Sequence, residues 1–565
     1  MDIYLDFLHR INSFVGECLN GYTPKTTNDK VIHDPIWGSV VYKGWEIQII
    51  DSPLFQRLRD ISQLGAAELT YPAARHSRME HSLGVVAIAQ RMIQKLRERS
   101  ENRDFPVDEN IIGEHQINQV RLAALLHDIG HCCFSHLAEN VYRSFSEFNV
   151  LHEMIVKNAL PQKINPNPHE LFSYCIIKSA NFIGFFEKYI DFPQKTTVNI
   201  TELLDQTANM VIGVFNIKET KNKPVHLNYL TNIINGDFDA DKLDYTQRDS
   251  YTAGLSLTYG VERFLLKIDI LRLELDDYTE YHLSINTDAV AAVEELIFNR
   301  QLLYGYIYRH QKVLAAECVI KDILTGMIKS GNITHPADFL RYNDNDIRSL
   351  QNNTQKPFGN LSDKSIGSIV KSFKSRKLPK RCLTLDKTVI STRNISMDTD
   401  EILSKYIGII EKADDISEKK SILKQFAVDY TYSKSQSATP MNYMRQKIKI
   451  LNNYSFDKMI EMRKHYFELI KNHYEQKNLP VNFDLFDLYI CLPKLSDSLV
   501  KLPIISKNGT IQQMEQVSYL HEWLDAFNEN KWRGFIFVND NVDKVLAQKA
   551  AIELFEEFAP DIRIN

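Results

Sequence analysis

The sequence predicts a mainly α-helical fold with a smaller α+β region towards the C-terminus. Three observations lead there. Long stretches carry apolar residues at helical spacing, as in RLAALL at 121–126 and VEELIFNRQLL at 293–303. Apolar residues make up 44% and charged residues 25%, an ordinary globular composition. Runs that read as strands, LYICLPKL, LPIIS and WRGFIFV, gather near the C-terminal end, before a last helix, VDKVLAQKAAIELFEEFA.

A chain of 565 residues can build one large domain and a smaller one. The boundaries are expected at 1–29 for an N-terminal helix and lead-in, 30–330 for the core, 331–400 for a connecting and regulatory segment, and 401–565 for the C-terminal α+β region. Lys and Arg number 67 against 72 Asp and Glu, a net charge of −5, so there is no global basic field for nucleic acid. The seven cysteines have no regular spacing and form no C-x-x-C, which predicts reduced thiols in a cytoplasmic protein. No run approaches the eighteen or so apolar residues a membrane span needs, and MDIYLDFLHRINSF lacks the basic and apolar regions of an export signal.

In chain order, residues 1–20 read as an amphipathic helix. HDPIWG places Pro35 and Gly38 at turn spacing, and alternation in SVVYKGWEIQII suggests a short hairpin. SPLFQRLRDISQLG reads as a helix with Ser52 as N-cap and Pro53 at its first position, ending at Gly65. Ser77 and Glu80 have capping-box spacing, which puts His81 in the first turn of the next helix.

The segment 116–142 reads as the central helix, and its stretch RLAALLHDIGHCCFSHLAE is the chemical focus. Three histidines and one aspartate, His127, Asp128, His131 and His136, fall within ten residues of an apolar segment where unpaired polar groups are costly. At a helix end, with Gly130 as the stop, His127 and Asp128 can converge on one ion. Imidazole and carboxylate suit Mg, Mn or Fe.

His152 and Glu153 follow at a further helix start. DFDADKLDYTQRD is dense in acids, but the calcium-loop pattern fails, and Asp237 and Asp239 read as parts of a solvated, capped helix. The helix VEELIFNRQLLYGYIYRHQKVLAAECVIKDIL carries Arg300, Tyr304 and Tyr308 on one face, as a nucleotide pocket would require. KSFKSRKLPKR, taken alone, is a basic solvated face, and residues 398–478 are charged and mainly helical.

Together His81, His127–Asp128 and Asp241 follow the H…HD…D order of the HD-domain metal-dependent phosphohydrolases. DPIWG, DSPLFQRLRDISQLG, SRMEHSLGV, HDIGHCCFSH and DADKLDYTQRD resemble the deoxynucleoside triphosphate triphosphohydrolases related to the human sterile-alpha-motif and HD-domain protein. No sterile-alpha-motif segment is read before them. The resemblance is dense over residues 30–320 and implies an HD-domain helical core.

It also implies that His81, His127, Asp128 and Asp241 hold a divalent metal, while His131, His136 and His152 line the triphosphate. Glu139 stands where the family has an aspartate pairing the catalytic histidine, His136. Arg78, Lys242 and Arg300 would grip phosphates, and Gln63, Leu64, Tyr245, Asp249 and Tyr308 would surround sugar and base. Tyr308 matches a tyrosine that leaves no room for a 2′-hydroxyl, and Tyr304 stands where a histidine is expected.

A GTP or dGTP activator at a subunit interface of a homotetramer is implied as well. Lys30, Val31, Asp51, Gln56 and Arg59 match one side, Arg376, Leu378 and Lys380 the partner segment, and Arg263 a further arginine. The basic residues expected shortly before Arg300 are absent, the region reading SINTDAVAAVEEL.

The expected reaction is metal-dependent hydrolysis of a dNTP to deoxynucleoside and inorganic triphosphate. Two readings stand beside it: an HD phosphodiesterase or nuclease acting on cyclic or single-stranded nucleotides, and a non-catalytic nucleotide sensor.

Overall fold

Helix α1 (Asp2–Leu19) buries Phe7, Ile11, Phe14 and Val15 along one stripe, as its amphipathic sequence requires. A hairpin follows, β1 (Lys30–Asp34) paired antiparallel with β2 (Gly38–Tyr42). The hairpin stops at Tyr42. Residues expected to continue the alternation form helix α2 (Gly44–Ile50) instead, because Glu46 accepts the Lys43 amide at 2.7 Å and every residue from Trp45 to Ile50 is buried. Ser52 does cap α3 (Pro53–Gln56), but this helix lasts one turn and tightens into a 3-10 turn at Arg57–Asp60, so Gln63 and Leu64 lie on a loop.

The computed structural model describes every residue except 1, 102–110, 161, 194, 196–197, 219–222, 258, 351–353, 357–361, 393–398, 412–415, 435–438, 453–455, 494–501 and 507. Helix α4 (Arg78–Glu101) packs on α5 (Glu114–Leu126). The expected central helix breaks after Leu126 and resumes as α6 (His136–Tyr142), with Phe134 and Ser135 at positive φ between the two. Next come α7 (Ser146–Asn158), α8 (Pro168–Ile177), α9 (Ala180–Tyr189) and α10 (Ile200–Val211). Short strands β3 (Ile217–Lys218) and β4 (Val225–His226) precede α11 (Asn228–Ile234), α12 (Ala240–Thr252) and α13 (Val261–Leu265). Asp239 caps α12, accepting the Lys242 amide at 2.7 Å, but it is buried rather than solvated.

Strands β5 (Ile268–Glu274) and β6 (Thr279–Asn286) pair antiparallel before α14 (Val290–Leu303). The long apolar helix expected there is interrupted by a π turn at Tyr304–Tyr308, and α15 (Gln311–Lys329) begins after it. α16 (Asp344–Ser349), α17 (Ile366–Lys374), β7 (Lys380–Leu385) and β8 (Ile390–Thr392) lead to the helices α18 (Thr399–Ile410), α19 (Ile416–Lys434), α20 (Pro440–Leu451) and α21 (Phe456–Gln476). The remainder is β9 (Leu488–Cys491), β10 (Ile504–Ile505), β11 (Ile511–Gln512), α22 (Met514–Val517), α23 (Leu520–Lys531), β12 (Gly534–Val538), α24 (Lys544–Phe558) and β13 (Ile562–Ile564).

These elements form two units that interleave along the chain. The first comprises Met1–Tyr308, Gly331–Leu350 and Val500–Leu520, the second Arg309–Ser330, Gln351–Leu499 and His521–Asn565. In the first, helices dominate, and β6 pairs with β5, β4 and β10 in one sheet. In the second, the sheet β7-β12-β9 and the pair β13-β8 share a core with α20, α21 and α24. The architecture is mainly α, as the sequence predicts. Among the described residues, no helix is long and apolar enough to cross a membrane.

Candidate active site

The site is assembled by α4, the turn after α5, α6, α8 and α12, all in the first unit. The first turn of α4 supplies His81, which is fully buried. Its Nδ1 donates to Asp244 Oδ2 at 2.8 Å, so Nε2 is the free ring nitrogen, facing Asp241 Oδ1 at 3.0 Å and Asp128 Oδ2 at 3.6 Å. His127 follows the last residue of α5. Its Nδ1 donates to the Ala124 carbonyl at 2.8 Å, and its Nε2 lies 3.4 Å from Asp128 Oδ1.

Both Nε2 atoms are buried without a hydrogen-bond partner. Candidate ligand atoms of His81, His127 and Asp128 all lie within 4.8 Å of one another. Two imidazoles oriented through Nδ1, their Nε2 atoms converging with carboxylates, are a donor set for a divalent cation. The electrostatics agree. Burial disfavours charge on His81, yet Asp241 and Asp244 outweigh it and push the imidazole up to about 10, so the pocket calls for a positive charge.

A second cluster adjoins the first. Glu139 Oε1 accepts from His136 Nδ1 at 3.0 Å and from His169 Nδ1 at 2.7 Å. His131 stacks on His169, with ring centroids 4.0 Å apart, and its Nε2 lies 3.2 Å from Asp128 Oδ1. Burial favours a neutral Glu139, but His136 and His169 hold its carboxyl well below the usual range. His169 is pushed up to about 9 by Glu139 against burial, while burial and the charges of Arg78 and His169 hold His131 well below its usual value. The set therefore contains an ion pair, Glu139 with His169, a neutral buried imidazole, and one accessible imidazole. His136 is that last group, its side chain 62% exposed.

Cationic groups surround these clusters. Arg78 donates to Asp128 Oδ2 at 2.8 Å and, through Nε, to Ser135 Oγ at 2.9 Å. Lys242 donates to the Gly236 carbonyl at 2.7 Å and pairs with Asp239. Arg300 is half-buried, within reach of the charges of Tyr245, Tyr304 and Asp239. Tyr308 donates to Asp249, whose other oxygen pairs with His76 Nε2 at 2.7 Å, and the Tyr304 and Tyr308 rings meet at 4.8 Å. Gln63 Oε1 is buried without a hydrogen-bond partner, and the adjacent Leu64 is buried as well.

Residues 78–173 match the HD domain family, and residues 268–453 match the HD associated region. The chain carries an HD domain. It is 30% identical over 309 residues to an uncharacterized protein of Methanocaldococcus jannaschii, covering 54% of this chain and 51% of that one. It is 23% identical over 461 residues to the deoxynucleoside triphosphate triphosphohydrolase SAMHD1 homolog of Dictyostelium discoideum, covering 80% and 77%. The bovine deoxynucleoside triphosphate triphosphohydrolase SAMHD1 is 29% identical over 296 residues, covering 52% and 46%. The chain thus spans about half the length of the first and third of these relatives. A hypothetical protein from Aquifex aeolicus shares the fold, with a TM-score of 0.54 at 18% identity, over 93% of this chain and 100% of that one.

His81, His127 and Asp128 of the HD domain meet Asp241 of α12 in one cluster, and His131, His136 and Glu139 meet in the next. His152 does not join them. It lies midway along α7, half-buried near Arg143, and His169 from α8 takes the place expected for it. Asn167, Pro168 and Glu170 cap the start of α8, so the signal that could have singled out His169 is the first-turn pattern that located His81.

Sequence reasoning also missed the layer behind the candidate metal ligands. Arg248 donates to Asp244 and, at 2.7 Å, to Asp34 Oδ2, and Trp37 Nε1 donates to Asp244 Oδ1 at 2.6 Å. The DPIWG turn therefore backs His81 through Asp244. Gly84 makes this possible, since a Cβ there would strike the ends of Asp244 and Arg248.

The activator candidates fall in both units. In the first, Lys30 pairs with Asp51 at 3.5 Å, Gln56 donates to the Ile50 carbonyl at 2.7 Å, and Arg59 donates to Gln56 at 3.1 Å, a connected surface beside the exposed Val31. Arg263 is exposed on α13, outside that network. In the second, Arg376 occupies a positive-φ turn after α17, Leu378 is half-buried, and Lys380 opens β7 and pairs with Asp540 at 2.6 Å.

Proposed function

We propose that the protein hydrolyses deoxynucleoside triphosphates to deoxynucleoside and inorganic triphosphate, using a divalent cation at the HD cluster. The observation that carries this is the pair of buried, unpartnered Nε2 atoms of His81 and His127 converging with Asp128 and Asp241. Relatives named as deoxynucleoside triphosphate triphosphohydrolases support the substrate class.

His81, His127, Asp128 and Asp241 would hold Mg, Mn or Fe. The bound cation supplies Lewis-acid polarisation of the α-phosphate. Arg78, Lys242 and Arg300 bind the phosphate oxygens, where charge develops. Water adds to the α-phosphorus as its bond to the 5′-oxygen breaks. That oxygen leaves with a proton from His136, which Glu139 orients through Nδ1, while the attacking water sheds its proton to solvent, from which the exposed His136 ring is reprotonated. His169 shares the same carboxylate, and His131 contributes a neutral ring beside it. Asp249, held by His76 and Tyr308, faces the sugar with Gln63, Leu64, Tyr245 and Tyr304, and Tyr308 packs where a 2′-hydroxyl would stand.

A guanine nucleotide, GTP or dGTP, activates the enzyme at a subunit interface and favours a tetramer. In support, burial and the neighbouring charges of Arg376, Lys380 and Lys544 hold the Lys312 ammonium below its usual value although Asp540 acts the other way, so four basic groups face one carboxylate where a polyphosphate would bind. The seven free cysteines fit a reducing, cytoplasmic setting.

The test is product analysis with purified protein, Mg or Mn, and each of the four dNTPs, with and without GTP or dGTP. Intact triphosphate is expected. Cleavage of single strands or cyclic nucleotides without triphosphate would support the phosphodiesterase or nuclease reading, and nucleotide binding without any product would support the sensor.

A further inference from the structure

Asp344 begins α16, in a part of the chain where no catalytic group was expected. Its side chain is nonetheless buried in the first unit, 4% exposed, and each carboxylate oxygen accepts from a different backbone amide. Oδ2 accepts from Ser62 at 3.1 Å, and Oδ1 accepts from Phe134 at 2.6 Å. Ser62 precedes Gln63 and Leu64, and Phe134 lies two residues before His136. One carboxylate thus ties together the two loops that carry the sugar-side residues and the accessible imidazole.

The second loop needs a tie. Phe134 and Ser135 hold φ of +54° and +53°, left-handed conformations that non-glycine residues adopt only when their surroundings impose them. A charge-assisted bond to the Phe134 amide is such an imposition. Ser135 Oγ completes the link, donating to the Ser62 carbonyl at 2.6 Å and accepting from Arg78, which reaches Asp128. Asp344 is itself fixed. Asn343 Oδ1 accepts the amides of Asn345 and Asp346, and Arg348, one turn on, lies over the Phe134 ring at 5.7 Å.

We propose that Asp344 is a positioning residue for the active site: it clamps the Ser62 and Phe134 loops together and so sets where His136 stands relative to the metal cluster. The inference rests on the proposed function for the role of His136, but the clamp itself is observable without substrate.

Asp344→Asn tests it. The amide keeps the shape and one acceptor, and turns an N–H2 towards the second backbone amide. Hydrogen–deuterium exchange should rise in peptides covering 62–64 and 132–139 and stay unchanged in α10 and α24. Mn2+ affinity by calorimetry should remain within about twofold of the parent, because no metal ligand bonds Asp344, while kcat falls at least tenfold with a smaller change in KM.

Unchanged exchange at both loops would overturn the proposal. So would parallel losses of metal affinity, thermal stability and kcat, which would mark a residue needed only for folding. If Asp344→Asn does not fold, Asn343→Ala touches neither loop and should give the same exchange pattern at smaller amplitude. A parent enzyme that releases no triphosphate would sink the proposed function while the exchange arm still decides the clamp.

Discussion

The tautomer of His81 is set by Asp244, which leaves Nε2 as the nitrogen that would meet the proposed metal. A carboxylate behind a ligating imidazole fixes the ring and raises its basicity, and its loss typically weakens metal affinity 10–100-fold, roughly. Asp244→Asn should therefore weaken Mn2+ binding by about that factor in a calorimetric titration. It also leaves Arg248 less well paired, so urea unfolding should show a loss of about 1–3 kcal/mol. An unchanged affinity would detach Asp244 from the metal site. At this scale the sequence was legible where chemistry was locally crowded. His127 and Asp128 stand out because polar neighbours inside an apolar run need a reason. His152 and His169 look alike in sequence, each followed by Glu, and only packing separates them: His169 is buried against Glu139 while His152 rides half-exposed on α7.

The sequence predicts a helix stop at Gly130, yet α5 ends earlier, at Leu126, and the glycine serves a close approach instead. A Cβ at residue 130 would overlap the Ser173 amide nitrogen and the His169 carbonyl, both backbone atoms of α8. Ser173 Oγ donates to the His127 carbonyl at 2.7 Å and accepts from the Gly130 amide at 2.8 Å, so α8 is stitched to the turn that carries His127 and Asp128. Gly130→Ala should force α8 outward, costing about 1–3 kcal/mol of stability as overpacking does. Because α8 carries His169, turnover should fall by more than the fraction unfolded, measured by circular dichroism and initial rates on one preparation. Turnover that tracks the folded fraction would refute the link. Helices α1 and α4 were legible from periodicity and capping. Helix α2 was not, since alternation of Trp45, Ile47 and Ile49 mimics a strand when all faces are buried. The π turn at Tyr304–Tyr308 was hidden for a related reason, an apolar run whose period does not register one extra residue in the turn.

The sheet of the first unit draws β10 and β11 from far along the chain, through pairings of two residues each, which no local pattern could announce. Residues that share chemistry are likewise scattered through the chain: Lys312 on α15, Arg376 after α17, Lys380 in β7 and Lys544 at the start of α24 act on one another within the second unit. Only the basic segment of 371–381 was visible as such in the sequence. Like charges gathered in this way repel, Asp540 offsets part of that repulsion by pairing with Lys380, and a bound polyphosphate would offset more. Nucleotide binding should accordingly stabilise the second unit and, through the proposed interface, raise the assembly state. Arg376→Ala should abolish the gain in activity and the shift towards tetramer, read by mass photometry, that the proposed activation by GTP or dGTP predicts. It should leave Mn2+ affinity at the His81 and His127 cluster unchanged, because no metal ligand belongs to the second unit. If the variant assembles and responds to guanine nucleotide as the parent does, the activator does not use this cluster. If it loses Mn2+ binding as well, the effect of Arg376 is on folding, and the basic cluster has no separate regulatory role.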